Sequence, residues 1–379
     1  MDGTSCRHTI TRGIFAEALP FEAEVSHAGH EQDEPATAPP FHTEDSMRSR
    51  SRVSSPSGFL PSDPNPIAFF ILPFLLILPG CGGNGTDIDD SLWDDLNRHK
   101  RIPADVVKGT PENDQHPPVL HSQEFEPPVP VPGISTAGAE DSPFIPADRD
   151  ELYFFFVSDV RLDPSLQIRD PVNGIWRSRL EGGVWQEPEL VLLQKRGELA
   201  LNGCPFVAGN EMYFCTFRAG SASAQWFRAE RSGGGWANWT RVQFPSALEV
   251  GELHFHGDTL YFGSTRPGGL GGKDIWRVVR SGTQWTGLEN VEAVNSAENE
   301  DQPYISPDGQ ELWFTRRHQG TPGVFRSRRG VGSWQEPELI VSRFAGEPTL
   351  DRHGNLYFVH HYYRNGVMIE ADIYLARRK

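Results

Sequence analysis

The chain has 379 residues and a formal net charge of -16, with 38 glycines, 31 prolines and an aromatic share of 11%. That charge disfavours nucleic-acid binding, because the phosphate backbone needs a basic surface, and the glycine and proline content is more than helical proteins tolerate. A hydrophobic share of 37% is low for a chain folded throughout, so a disordered part is expected.

Residues 1–46 mix His, Glu, Pro and Thr without a period, which predicts a disordered leader, with Met47 as the candidate true start. A basic stretch, Met47-Arg48-Ser49-Arg50-Ser51-Arg52, precedes the apolar run Ile67–Leu78. A run of about 12 residues is shorter than the ~20 of a membrane-spanning helix and matches the core of a signal peptide. Leu78-Pro79-Gly80-Cys81 follows at once. This Leu-x-Gly-Cys resembles the bacterial lipoprotein processing box, which implies a signal peptide over 47–80 and a lipidated Cys81. A chance apolar run in a disordered leader is the competing reading. If the resemblance holds, residues 81–121, rich in Asp, Gly and Pro, are a flexible tether with a short helical turn around Ser91–Arg98.

Beyond the tether the chain repeats itself. Five strand triplets share one form: Leu152-Tyr153-Phe154, Met212-Tyr213-Phe214, Leu260-Tyr261-Phe262, Leu312-Trp313-Phe314 and Leu356-Tyr357-Phe358. Their spacings of 60, 48, 52 and 44 residues suit four-stranded propeller blades. A second aromatic strand follows each triplet, and in the first four units a further tryptophan comes next (Trp185, Trp236, Trp285, Trp334). The fifth unit stops at Lys379 after its third strand. Phe125–Val131 repeats the WQEPELV phrase with Phe in place of Trp, so it is expected to supply the missing strand and close the ring. The expected fold is therefore an all-β, five-bladed propeller over residues 122–379.

Tyr304-Ile305-Ser306-Pro307-Asp308-Gly309 with Leu312-Trp313-Phe314, and Ser264-Thr265-Arg266-Pro267-Gly268-Gly269 with Asp274-Ile275-Trp276, resemble the WD40-like (TolB-type) β-propeller repeat. The resemblance implies a bacterial envelope protein and leaves its function open. The Asp-Gly turn and the glycine-rich loop are explained by hairpin geometry. A phosphate cradle would need a helix after the loop, and none is expected.

On a propeller, the loop entering each inner strand and the loop joining the second and third strands open on one face. That face would carry Glu140, Asp141, Glu198, Glu252, Glu300, Asp301 and Glu347, with Arg218, Arg266, Arg316, Arg317, His360 and His361 from the other loops. Converging carboxylates could hold a cation or a basic peptide. Alternatively, each pairs with a neighbouring Arg or caps a turn. Cys204 and Cys215 flank a hairpin and sum as directly opposed partners, a candidate disulfide. His254 and His256 point to one sheet face, yet no Cys/His spacing suggests a metal site, and no cofactor is expected.

Together these features predict an exported, lipid-anchored monomer that binds an envelope protein or a glycan and touches the membrane through its lipid alone. The alternative is a carbohydrate-active hydrolase using funnel carboxylates such as Glu140, Asp141, Glu300 and Asp301. Recurrence of the carboxylates in register with the repeat favours binding, since a catalytic pair would break the pattern.

Overall fold

The computed structural model describes residues 90–379. The expected leader, signal peptide and Cys81 lie outside the described residues. Five antiparallel sheets follow one another along the chain, each of at least four strands. The first blade runs Ala139–Phe144, Glu151–Val157 and Gly174–Glu181, with an outer edge split between Val184–Trp185 and Glu189–Leu190. The second comprises Ala200–Ala208, Glu211–Arg218, Gln225–Ser232 and Gly235–Arg241, and the third Leu253–His256, Thr259–Ser264, Asp274–Ser281 and Gln284–Asn290. The fourth comprises Glu300–Ile305, Glu311–His318, Thr321–Arg328 and Glu338–Ser342.

The fifth blade has only three strands from its own unit, Ala345–Leu350, Leu356–Arg364 and Val367–Ala376. Its fourth is Val129–Pro130, paired with Leu375 and Tyr374, and the bonding extends through Glu126 N to Arg377 O at 2.7 Å. The expected closure by an N-terminal strand is therefore present, and it gives the fifth blade four strands like the others.

All fifteen triplet residues are buried. Each triplet strand lies in a sheet packed between two neighbours, so both of its faces are apolar and the usual in–out alternation disappears. The outer-strand aromatics join successive blades. Trp236 meets Tyr153 of the preceding blade edge-on with ring centroids 6.2 Å apart, and Trp185 meets Tyr357 at 6.1 Å. Phe125 takes the equivalent place in the closing strand, edge-on to Trp313 at 6.0 Å. The Ser306–Gly309 turn is structural: Gly309 has φ +70°, and Asp308 accepts from Ser306 Oγ at 2.5 Å and Gln310 N at 3.0 Å.

The segment expected to be a leash differs from that expectation. Short 3-10 turns form at Asp90–Trp93 and Arg98–Lys100, and Val119–Leu120 adds a fifth strand to the fourth blade. Between them the chain lies on the propeller as a strap. Arg98 is buried, 3.1 Å from Glu140 and over the rings of Phe154, Phe156 and Trp176. Lys108 Nζ bonds both Glu370 and Asp372, the latter at 2.6 Å. Asp114 meets His360 at 2.8 Å. Gly109 lies flat on Tyr362, where a Cβ would come within 2.7 Å of the ring. The physical reason is charge: the segment has too little apolar surface for a core of its own, but Asp94, Arg98, Asp105 and Lys108 each meet an opposite charge on the propeller. Among the described residues no helix is long and apolar enough to cross a membrane.

Candidate functional site

The inner strands position the site through one repeated distortion. In four blades the ladder slips by a bulge, between Asp141 and Phe144, Gly203 and Phe206, Asp301 and Tyr304, and Gly346 and Thr349. The residue before the bulge proline has positive φ in each: Ser142 at 49°, Cys204 at 50°, Gln302 at 57° and Glu347 at 54°. Such conformations are unfavourable for non-glycine residues and cluster at functional positions. The third blade has Glu252 at the equivalent place, with Gly263 N donating to its carbonyl at 3.0 Å instead. These five residues line one small cavity on the propeller axis, of about 50 Å³.

Within it, Gln302 Nε2 donates to Glu347 Oε1 at 2.8 Å and approaches Glu252 Oε1 at 3.5 Å. Asp301 pairs with Lys273 at 2.6 Å, and Asp141 lies 3.7 Å from His361. Glu347 Oε2, Gln302 Oε1 and His361 Nε2 are buried without a hydrogen-bond partner. Burial, then the charge of Asp301, pushes Glu252 up to about 8. Burial together with Asp141 and Glu252 holds Glu347 well above the usual carboxylate range. Glu252 and Glu347 thus keep protons that the unfolded chain gives up.

A pH dependence follows from the sign of those shifts. A carboxyl raised from 4.5 towards 8 stabilises the fold below its unfolded value and loses that contribution as pH rises through its folded value. The urea midpoint is expected to fall between pH 5 and 8, and the double variant Glu252→Gln, Glu347→Gln should flatten part of that fall. An equal slope in the variant would mean that the channel carboxyls are ionised throughout.

The other predicted carboxylates have structural partners. Glu140 and Glu300 share one arrangement: a hydroxyl residue four positions upstream donates both its backbone N–H and its side chain to the carboxylate. For Glu140 these are Thr136 N at 2.9 Å and Oγ1 at 2.6 Å, and for Glu300 they are Ser296 N at 3.1 Å and Oγ at 2.5 Å. An arginine completes each, Arg98 at 3.1 Å and Arg316 at 2.7 Å. Glu198 accepts from Lys195 N at 3.2 Å and faces Arg218 at 3.5 Å. Arg218 and Arg266 lie over Phe227 and Trp276, at 4.7 and 4.3 Å. The pairing alternative therefore describes Glu140, Glu198 and Glu300, and Asp301 with Lys273 as well, whereas Glu252 and Glu347 line the cavity with Asp141 and Asp301 as neighbouring charges.

The two cysteines meet, though not as directly opposed residues. Cys215 pairs with Gly203 because the bulge shifts the ladder, yet its sulfur is 2.7 Å from Cys204 Sγ; both thiols are free. Among the described residues no group of three His, Cys, Asp or Glu is placed to hold a metal ion. Gln302 and Ser142 escaped the sequence reading, although Ser-Pro-Phe, Cys-Pro-Phe, Gln-Pro-Tyr and Glu-Pro-Thr recur at matching positions and mark the channel ring.

No family model matches this chain, and no curated protein matches it. Among solved structures it is similar to TolB from Acinetobacter baumannii, at 14% identity and TM-score 0.40 over 65% of this chain and 56% of that one. It is also similar to GH43B of a Bacteroides ovatus xyloglucan PUL, at 14% identity and TM-score 0.43 over 66% and 54%. A third is an endo-arabinase from Bacteroides thetaiotaomicron, at 14% identity and TM-score 0.42 over 66% and 97%. The chain spans about half the length of the first two. These likenesses concern the propeller alone and assign no activity.

Proposed function

We propose that this chain is an exported, lipid-anchored binding or scaffolding module of a bacterial cell envelope, with an envelope protein or glycan as partner. The observation that carries the binding reading is the size and charge of the channel site. A cavity of about 50 Å³ has room for a few waters, each needing roughly 10–15 Å³, or for one small cationic head group. A sugar ring held between two carboxylates needs far more. Glu252, Glu347 and Gln302 instead offer acceptors to a single lysine-like group presented by a partner, whose charge would displace the protons that burial keeps on the two glutamates. Export and anchoring rest on the Leu78–Cys81 box.

The experiment compares the full chain with the Glu252→Gln, Glu347→Gln variant in affinity capture from solubilised bacterial envelope, alongside membrane fractionation of Cys81→Ala. A partner held by the wild type should be lost by about tenfold in affinity with the double variant, and Cys81→Ala should leave the membrane fraction. Undiminished capture would remove the channel from the reading, and a soluble wild type would remove the anchor. One observation favours the hydrolase alternative: burial beside Asp301 pushes Glu252 up to about 8, the protonated form that a general acid needs. Turnover on an oligosaccharide panel would establish it in place of the binding reading.

A further inference from the structure

Two residues beyond the channel ring, the same inner strands bring a second set of side chains together. Phe144, Phe206, His254 and Tyr304 form a belt with successive ring centroids 5.0, 4.9 and 4.8 Å apart and planes tilted by 57°, 71° and 66°. Phe144, His254 and Tyr304 of the belt border the channel cavity on one side. On the other the belt borders a separate cavity of about 330 Å³, which opens among the hairpins joining the first and second strands of four blades. That is the end of the propeller away from the strap and the paired carboxylates.

We propose that this second cavity is a binding site for a planar aromatic small molecule of one or two fused rings. Its volume is at the low end of the range of about 300–1,000 Å³ for small-molecule sites, too small for a folded partner's surface. Its walls are apolar, with Val207, Phe255 and Ile305 beside the belt. The tilted rings present both edges and faces, the arrangement in which a further ring gains edge-to-face and offset contacts of about 0.5–1.5 kcal/mol each beyond area burial. Charge gives a ligand little to pair with. Burial, together with His256, pushes His254 down to about 3, so its imidazole is neutral at ordinary pH. Asp148 at the rim is engaged by Arg149 at 3.3 Å. His256 lies 3.3 Å from Pro307 O, close enough for a hydrogen bond. A ring-lined recess whose one carboxylate, Asp148, is already paired therefore selects by shape and π-contact rather than by charge.

Indole is the probe, titrated into the full chain by calorimetry and followed by ligand-observed NMR. Ala208 and Ala147 are exposed wall residues, so Ala208→Trp and Ala147→Trp fill the cavity without truncating the core. Ala219, exposed and remote from the cavity, serves as control in Ala219→Trp. The expected result is saturable one-site binding with a negative heat-capacity change, weakened at least about tenfold in either wall variant and unchanged in the control. If one wall variant fails to fold, the other gives the reading. The absence of saturable binding, or equal affinity in a folded wall variant, overturns the proposal.

Discussion

Phe125→Ala is expected to lower the stability of the propeller by about 3–5 kcal/mol, the range for truncating a buried large aromatic. Phe125 is 0% exposed, edge-on to Trp313 of the fourth blade, and bridges Arg378 at the end of the fifth. It therefore joins the closing strand to both sides of the ring. Its loss leaves a cavity at the seam where the N-terminal strand completes the last blade. The polar part of the seam, Glu124 bonded to Arg326 at 2.7 Å and Arg328 at 2.6 Å, cannot compensate, because those groups already have their partners. Val129→Ala in the same strand is the control. Its side chain is 48% exposed, and its replacement should change stability by no more than about 0.5 kcal/mol. Urea unfolding of both variants checks this. A cost for Phe125→Ala no larger than that of the control would show that the strand merely decorates the last blade.

The ring was legible because it depends on repetition. A buried triplet and an outer-strand aromatic recur in every unit, and the one irregular member, Phe125, stands in a phrase that otherwise matches Trp185–Val191 and Trp334–Ile340. The channel site was legible in part. Asp141, Glu252, Asp301 and Glu347 were expected on the functional face, but so were Glu140, Glu198 and Glu300, which are caps and ion pairs. Glu140 and Glu300 precede the bulge in regular register, opposite Phe156 and Arg316, whereas Glu347 stands within the slip that the bulge makes. The same slip moved Cys204 out of direct opposition to Cys215, although side-chain reach still brings the sulfurs together.

The strap was not legible, because its partners are far away in the chain. Its composition is that of a linker, and nothing near Arg98 or Lys108 indicates that Glu140, Glu370 and Asp372 await them. Burial pushes Arg98 down and Glu140 up to about 8, the directions expected when an ion pair leaves water. Such a pair contributes little relative to an apolar replacement but is costly to break on one side. Arg98→Ala is accordingly expected to destabilise the protein by about 3–5 kcal/mol, since it strands Glu140, 0% exposed, and also removes the cation above three aromatic rings. The double variant Arg98→Met, Glu140→Gln should recover most of that loss. The two differ in pH response as well. With Arg98 gone, Glu140 must take a proton to stay buried, so Arg98→Ala should lose more stability at pH 8 than at pH 5, and the double variant should not. Chemical denaturation at the two pH values reads both effects. A mild, pH-independent cost for Arg98→Ala would mean that the strap lifts off in solution and exposes Glu140 to water, returning that part of the face to ligands.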